Sequence, residues 1–256
     1  MKRLSMIGLG ITDERSIPLH GLDRIKEADI VFAEFFTSIL KDGSLERLGE
    51  LAGKELLLLD REGVEEEEAV IKAFEDNDRV CFLTAGDPLT ATTHQELRFD
   101  AEDRGIEVEI IHSASIFNAA SGLAGLQHYK FGRTTTLAYP EGDYFPTSPL
   151  DFIMENMERG LHTLVLLDIQ AHNNRYMTAS EGCDLILKME GKRGGGAINE
   201  RTKAVAVLRA GREDRKVLYG TLGQLKEMDM GAPPHCLIVP GNLHFAEEEA
   251  LDHFRV

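Results

Sequence analysis

Two glycine-marked segments stand where apolar runs end. Gly86-Asp87-Pro88 follows Val80–Leu83, and Gly8-Leu9-Gly10 follows Leu4–Ile7. Because proline restricts the residue before it to extended backbone, Asp87 is expected to project from the end of a strand. A carboxylate there can accept hydrogen bonds from a ribose or hold a cationic group; the alternative is an Asp turn that satisfies its own backbone. The pattern predicts a small-molecule cofactor site at the carboxyl ends of strands.

The first glycine pair does not complete a dinucleotide-binding fingerprint. Gly8 and Gly10 let the backbone approach a ligand closely; the alternative is a tight strand-to-loop turn without a ligand. The fingerprint requires a third glycine three residues later, and Asp13 stands there. A nicotinamide-dependent oxidoreductase is therefore disfavoured.

The third chemically useful segment, His112–Ile116, follows another apolar run. Ser115 can cap the next helix, and the free backbone N–H groups there can face a ligand. His94, His112 and His235 are candidate acid–base groups, with a structural role as the alternative for each. No Ser-His-Asp, Cys-His or paired-carboxylate spacing emerges, so a hydrolase has no support. The catalytic residues stay unassigned.

The composition narrows the class of protein. The chain has 256 residues and a formal charge of −16, and no Lys/Arg-rich run offers a nucleic-acid surface. Its three cysteines form no CxxC pair, and Cys81 and Cys236 lie in strand-like runs where they are expected to be small core residues. No metal-ligand cluster is apparent.

No apolar run approaches the roughly 18–20 residues of a membrane span. The chain starts with a strand rather than a signal peptide, so a reducing cytoplasmic compartment is expected.

The apolar runs are mostly continuous rather than alternating, and helix-like segments separate them. Continuous runs favour strands covered on both faces, and hence parallel or mixed sheets. The candidate strands are Leu4–Gly8, Ile30–Phe35, Glu55–Leu59, Arg79–Leu83, Val108–Ile111, Thr134–Tyr139, Thr163–Ile169, Ala204–Arg209, Lys216–Tyr219 and His235–Val239. The pattern of strand-like and helix-like segments changes near Gly132, and this change predicts two α/β domains, 1–132 and 133–256.

Three helix starts carry local signals. The run Glu65–Glu68 is expected to open a solvated amphipathic helix. Ser148 is the predicted N-cap of a helix that continues with Pro149 and ends at Gly160. Thr178-Ala179-Ser180-Glu181 has the spacing of a capping box.

Taken together, the segments resemble the diphthine synthases of the tetrapyrrole-methylase-like superfamily over nearly the whole chain. The most specific stretches are the block from Tyr139-Pro140-Glu141-Gly142 to Phe145-Pro146-Thr147-Ser148 and the block Pro233-Pro234-His235. The other matching stretches are Ile7–Gly10 with Asp13-Glu14-Arg15, Val31–Phe35, Phe82–Pro88 with Ala91–His94, His112–Ile116, Tyr129–Gly132, Glu158–Thr163, Leu167-Asp168-Ile169, Tyr176-Met177-Thr178 and Leu243-His244.

The resemblance implies a two-domain fold. Its N-terminal sheet is mostly parallel with helices on both faces, and its C-terminal α/β domain has a mixed sheet. It also implies that S-adenosylmethionine binds in the cleft between the domains. By matching positions, the cofactor-binding residues are Ile11, Asp87, Thr90, Ser115, Ile116, Leu167, Ala210 and His235. Family members usually carry an aliphatic residue where Thr90 stands, so a contact through its backbone or methyl group is expected.

The implied reaction is methyl transfer to the amino group of 3-carboxy-3-aminopropyl-histidine on translation elongation factor 2, giving diphthine. The implied assembly is a homodimer. Three rivals stay open: a corrinoid or porphyrin C-methyltransferase, a nicotinamide oxidoreductase, and a non-catalytic module that docks on a translation factor. The first of these typically begins Gly-x-Gly-Pro-Gly-Asp, where this chain has Gly8-Leu9-Gly10-Ile11-Thr12-Asp13.

Overall fold

A computed structural model describes residues 1–36, 38–65, 68–142 and 144–256. They form two compact units, Met1–Ile116 and Phe117–Val256. This division lies before the boundary at Gly132 expected from the sequence. The reason is that residues 127–132 are tied into the second unit: the Gln127 N–H donates to Glu247 Oε1 (2.9 Å), and the Gly132 N–H donates to the carbonyl of His162 (2.9 Å).

The first unit is built on a five-stranded sheet in which all strands are parallel. The strands are β1 (Arg3–Gly8), β2 (Ile30–Glu34), β3 (Leu57–Leu59), β4 (Arg79–Thr84) and β5 (Glu107–Ile111). Their order in the sheet is β3-β2-β4-β1-β5. The strands predicted for this region are all present. The sheet order makes the carboxyl ends of β4, β1 and β5 neighbours, and these ends carry the polar and glycine segments.

Both faces of this sheet are buried. Along β1, Ile7 packs into one hydrophobic cluster, and Leu4 and Met6 pack into another on the opposite face. The first cluster includes α1 (Leu19–Glu27) and α2 (Ser44–Ala52); the second includes α4 (Ala69–Lys72) and α5 (Gln95–Asp103). The prediction of a parallel sheet with helices on both faces is confirmed, and the lack of alternation in the strands follows from it.

The helix expected to start at Glu65–Glu68 is interrupted. Helix α3 (Arg61–Glu65) ends where the prediction began, and α4 starts at Ala69. Glu68 precedes α4 with a left-handed φ of 53°, so it does not continue a right-handed helix. Residues 66 and 67 of this prediction lie outside the described residues.

The second unit has a mixed five-stranded sheet. Its strands are β6 (Thr135–Leu137), β7 (Thr163–Leu167), β10 (Lys203–Leu208), β11 (Lys216–Thr221) and β12 (His235–Val239), in the order β11-β10-β12-β7-β6. Only β6 and β7 pair in parallel; the other pairs are antiparallel. The mixed sheet agrees with the prediction. A short hairpin of β8 (Ile169–Gln170) and β9 (Arg175–Tyr176) was not predicted, because two-residue strands carry no periodic signal.

Helices α6 (Ile116–Ala124), α7 (Ser148–Glu158), α8 (Ala179–Arg193), α9 (Leu222–Leu225) and α10 (Phe245–Asp252) complete the chain. The capping box at Thr178 and Glu181 is confirmed at the start of α8. The N-cap predicted at Ser148 is wrong by one residue: Ser148 is already helical and Thr147 occupies the cap position, with Pro149 in the first turn. None of the helices in the described part of the chain is long and apolar enough to cross a bilayer.

A buried carboxylate, Glu247 of α10, holds three separate segments of the second unit together. Its side chain is 1% exposed and accepts from the Gln127 N–H (2.9 Å), the His244 N–H (2.8 Å) and His162 Nε2 (3.0 Å), and it pairs with Lys130. Burial raises the pKa of Glu247, but these donors outweigh burial and lower it to about 2. The carboxylate is therefore ionised at neutral pH and acts as a structural tie.

We expect Glu247→Gln to lower the free energy of unfolding by about 2–3 kcal/mol at pH 7, because the amide cannot accept all of these hydrogen bonds. The folded-state pKa of about 2 is below the ordinary 4.5. The stabilisation is therefore complete above about pH 4.5 and lost as the pH falls toward 2. Denaturant unfolding of both proteins between pH 7 and pH 3 should show the difference shrinking on acidification. Glu248→Gln, at the exposed next position, should change little. A difference that is independent of pH would contradict this role.

Candidate functional site

The carboxyl ends of β1 and β4 are joined by backbone contacts between glycines. Gly10 and Gly86 exchange two hydrogen bonds, Gly10 N to Gly86 O (3.1 Å) and Gly86 N to Gly10 O (2.7 Å). Both residues have left-handed φ angles, 75° and 78°, which glycine adopts without a steric penalty. The two glycine-marked segments of the sequence therefore form one structural feature.

Gly8 is required for the close approach of these strand ends. A Cβ at position 8 would lie 2.5 Å from the carbonyl oxygen of Gly86 and 2.8 Å from Cβ of Ser113, which follows β5. At Gly86 a Cβ would meet nothing within 4 Å. Gly8 thus packs backbone against backbone, whereas Gly86 leaves bare backbone beside open space at the strand end.

Asp87 turns inward and is 7% exposed. Its Oδ1 accepts from the Leu89 N–H (3.1 Å) and the Thr90 hydroxyl (2.9 Å). Its Oδ2 lies 2.7 Å from His112 Nδ1 and 3.4 Å from the Ser113 amide nitrogen. Asp87 therefore forms the Asp turn that the sequence offered as an alternative. It also ties the turn after β4 to the segment after β5.

The pKa of Asp87 is lowered. Burial alone would raise it, but the hydrogen bonds from His112, the Leu89 N–H and the Thr90 hydroxyl outweigh burial. The carboxylate is ionised at neutral pH and brings negative charge to this edge of the sheet.

The remaining sequence-predicted residues of the first unit lie around this turn. The Thr90 hydroxyl and the Thr90 N–H both donate to Asp87, to Oδ1 (2.9 Å) and to the backbone carbonyl (3.4 Å), which leaves the methyl group of Thr90 for other contacts. Ile11 follows Gly10 and is half-buried; Ser115 and Ile116 are half-buried at the start of α6. The sheet order thus brings the segments that carry Ile11, Asp87, Thr90, Ser115 and Ile116 to neighbouring strand ends.

In the second unit, strand register brings the segments that carry the other three predicted residues together. His235 pairs with Leu208, two residues before Ala210, and the next residue of β12, Cys236, pairs with Leu166, which precedes Leu167. The three predicted residues are buried, with 7%, 7% and 8% of Leu167, Ala210 and His235 exposed. They lie at or just beyond the ends of β7, β10 and β12 on the same side of this sheet.

The hydrogen bonds of His235 favour a structural role over an acid–base role. The Ala179 N–H donates to Nδ1 (3.2 Å), so the neutral ring carries its proton on Nε2, which lies 3.0 Å from the Ala232 carbonyl. Burial and the neighbouring Arg209 charge lower the pKa of His235 to about 4. The ring is neutral at pH 7 and both nitrogens are engaged.

Arg209 is a residue that the sequence analysis missed. It is 7% exposed and has a left-handed φ of 49°. Its Nη1 donates to the carbonyls of Met230 (2.9 Å) and Ala232 (2.8 Å) and lies 3.2 Å from His235 Nε2, and its Nε lies 2.7 Å from Asp214 Oδ2. Arg209 therefore anchors the loop that leads to His235. An arginine directly after a buried strand was the available signal.

No group of three or more His, Cys, Asp or Glu side chains within the described ranges is arranged to hold a metal ion. The three cysteines are buried, and burial raises each thiol pKa to about 12. The prediction that Cys81 and Cys236 are small core residues is confirmed.

The sequence and the fold match a known class of protein. The family model of tetrapyrrole (corrin/porphyrin) methylases matches residues 3–226. The chain belongs to the tetrapyrrole methylase family, and it is a methyltransferase.

Within that family the chain is similar to diphthine synthases. It is 50% identical over 249 residues to the diphthine synthase of Methanococcus aeolicus, covering 97% of this chain and 96% of that protein. It is 47% identical over 253 residues to that of Methanocaldococcus jannaschii, covering 98% of each. A crystal structure of diphthine synthase matches with a TM-score of 0.89 and 33% identity, covering 99% of this chain and 96% of that one. The resemblance drawn from the sequence is confirmed.

Proposed function

We propose that this chain transfers methyl groups from S-adenosylmethionine to the amino group of 3-carboxy-3-aminopropyl-histidine on translation elongation factor 2, giving diphthine. The observation that carries the proposal is the near 50% identity to diphthine synthases over almost the full length of both proteins. Similarity of this extent supports a shared substrate as well as a shared fold. The role in diphthamide biosynthesis follows from that similarity.

The residues at the strand ends fit the proposed methyl donor. The open space beside Gly86 admits a ligand against bare backbone. The ionised Asp87 provides negative charge that suits a sulfonium cation. S-adenosylmethionine has no phosphate, so the absent third glycine is no obstacle. We assign Ile11, Asp87, Thr90, Ser115 and Ile116 of the first unit, and Leu167, Ala210 and His235 of the second, to its binding.

The bound donor supplies a methyl group that its sulfonium already activates, so the protein's task is to hold the reactants in line. Asp87 contributes by fixing the turn after β4 to the segment after β5. The substrate amine must be unprotonated to attack. We assign no general base. His235 has both ring nitrogens engaged and His94 is 1% exposed. His112 is exposed, and we assign its Nδ1 to holding Asp87. The amine proton is taken to leave through solvent.

The proposed protein substrate agrees with the charge of the chain. At −16, the acidic protein would attract a basic surface on elongation factor 2 over long range. Association rates insensitive to ionic strength would count against this attraction. We further propose that the chain acts in the cytoplasm as a homodimer, in accordance with its assignment to this reaction.

The proposal is tested by incubating the purified chain with isotope-labelled S-adenosylmethionine and elongation factor 2. We expect mass spectrometry to find label on the modified histidine of factor that carries the 3-carboxy-3-aminopropyl group, and none on factor that lacks it. Calorimetry should show binding of S-adenosylmethionine and no binding of NAD.

Each rival predicts a different result. Label on a corrinoid or porphyrin, and none on the factor, would identify a C-methyltransferase and overturn the proposal. Binding of the factor without any binding of the methyl donor would identify a non-catalytic docking module and also overturn it.

A further inference from the structure

Two segments that contribute to the family resemblance have no part in the site described above. These are Val31–Phe35 and Ala91–His94. The structure brings them together inside the first unit, since β2 pairs with β4 and Glu34 lies opposite Thr84 at the ends of these strands. His94 Nε2 lies 3.7 Å from Glu34 Oε1, and both side chains are completely buried.

The His94 ring contacts the turn that contains Asp87. Its Nδ1 is 3.1 Å from the carbonyl oxygen of Pro88 and 3.4 Å from the Thr84 hydroxyl. A carbonyl oxygen can only accept, so Nδ1 carries a proton and donates it to Pro88. The ring also packs edge-on against Phe82, with 4.9 Å between ring centroids.

His94 is neutral at pH 7, because burial lowers its pKa to about 4. It therefore holds the Pro88 carbonyl rather than moving protons. Its Nε2 then carries no proton and has no hydrogen-bond partner within the described residues, so Glu34, 3.7 Å away, is a neighbour of the ring and does not hold it.

The turn that His94 contacts has a backbone conformation that needs stabilising contacts. It begins at Gly86 with φ of 78°, and it ends at Ala91, a non-glycine residue with φ of 58°. A left-handed alanine is strained and persists only where surrounding contacts hold it. Thr92 supplies a second contact, because its hydroxyl donates to the same Pro88 carbonyl (3.1 Å).

We propose that His94 is a positioning residue for the methyl donor: it holds the Pro88 carbonyl and thereby sets the turn that presents Asp87 and Thr90. This inference rests on the proposed function and adds to it a residue outside the set assigned to donor binding. His94 does not touch the donor in this account, and its effect passes through the backbone of the turn.

Two substitutions of His94 separate this role from simple packing. In His94→Asn the introduced amide group can stand where Nδ1 stands and keep a donor for Pro88, whereas His94→Gln places its amide nearer the Nε2 position. Calorimetric titration with S-adenosylhomocysteine should show a Kd raised roughly tenfold for His94→Gln, the effect of one lost hydrogen bond. His94→Asn should stay within about threefold of wild type.

The matched control is His162→Gln in the second unit. His162 is also fully buried and also contacts a glutamate, Glu247. Its replacement should lower the melting temperature and leave the Kd of the folded protein unchanged. If His94→Gln lowers the melting temperature equally but binds like wild type, His94 is only structural and the inference is overturned.

A milder pair of variants covers the case in which His94→Gln does not fold. Thr92→Val removes the second hydrogen bond to Pro88, and Thr92→Ser keeps it. The valine variant should bind S-adenosylhomocysteine about threefold more weakly, and the serine variant like wild type. Equal Kd values for both would overturn the inference. If the wild-type chain itself does not bind S-adenosylhomocysteine, the proposed function fails instead, so the two failures are distinguishable.

Discussion

Gly8→Ala is expected to reduce the rate of methyl transfer by at least about a hundredfold, because it displaces the strand ends that carry the site. The added Cβ would lie 2.5 Å from the Gly86 carbonyl oxygen and 2.8 Å from Cβ of Ser113. Neither atom belongs to the far end of a flexible side chain, so the backbone must move. We also expect the free energy of unfolding to fall by about 1–3 kcal/mol, as for other overpacked sites. Denaturant unfolding and the initial rate of methyl transfer measure the two effects.

The control for Gly8→Ala is Gly122→Ala in α6. This glycine is exposed, and a Cβ there would meet nothing within 4 Å. Alanine should stabilise the helix by about 0.5–1 kcal/mol and leave catalysis unchanged. Wild-type activity and stability in Gly8→Ala would show that the strand ends tolerate separation, against the structural account of the site.

Asp87→Ala is expected to raise the Kd for the methyl donor roughly ten- to a hundredfold, or about 1–3 kcal/mol. The substitution removes a buried, ionised acceptor and leaves the Leu89 N–H and Thr90 hydroxyl without their partner. It also cuts the link to His112. Because the carboxylate organises the turn, we also expect the free energy of unfolding to fall by about 1–3 kcal/mol, the cost of leaving these donors without a partner.

Calorimetry with S-adenosylmethionine and denaturant unfolding test Asp87→Ala. Asp87→Asn should give an intermediate Kd, since the amide keeps one of the two acceptor oxygens. Asp103→Ala, at an exposed position on α5, is the control and should bind like wild type. An unchanged Kd in Asp87→Ala would remove this residue from the site.

The sequence was sufficient to predict the strands of the two five-stranded sheets and the residues that follow them. Continuous apolar runs mark strands that are buried on both faces, and glycine, proline and aspartate mark where such strands end. In a parallel sheet these ends share one edge, so Gly8, Gly86 and Ser115 could be assigned to a common region before any contact was known. The family resemblance supplied the cofactor and substrate, which spacing alone did not reveal.

The directions in which the side chains of the site point could not be predicted from the sequence. Nothing in the Gly-Asp-Pro pattern shows that the Asp87 carboxylate turns inward to His112, because the local sequence permits both directions. Glu34 and His94 lie close together because of the strand order, which hydrophobic periodicity does not encode. The left-handed backbone of Arg209 is a tertiary effect, since arginine has no intrinsic preference for it.

The central claim is that the strand ends of the first unit bind a methyl donor around the Asp87 turn. The most direct measurement is a crystal structure of the chain grown with S-adenosylhomocysteine. The account predicts density for the ligand in contact with the Gly86–Thr90 turn and with Ser115 and Ile116. A ligand bound away from these residues, with the turn unoccupied, would contradict it.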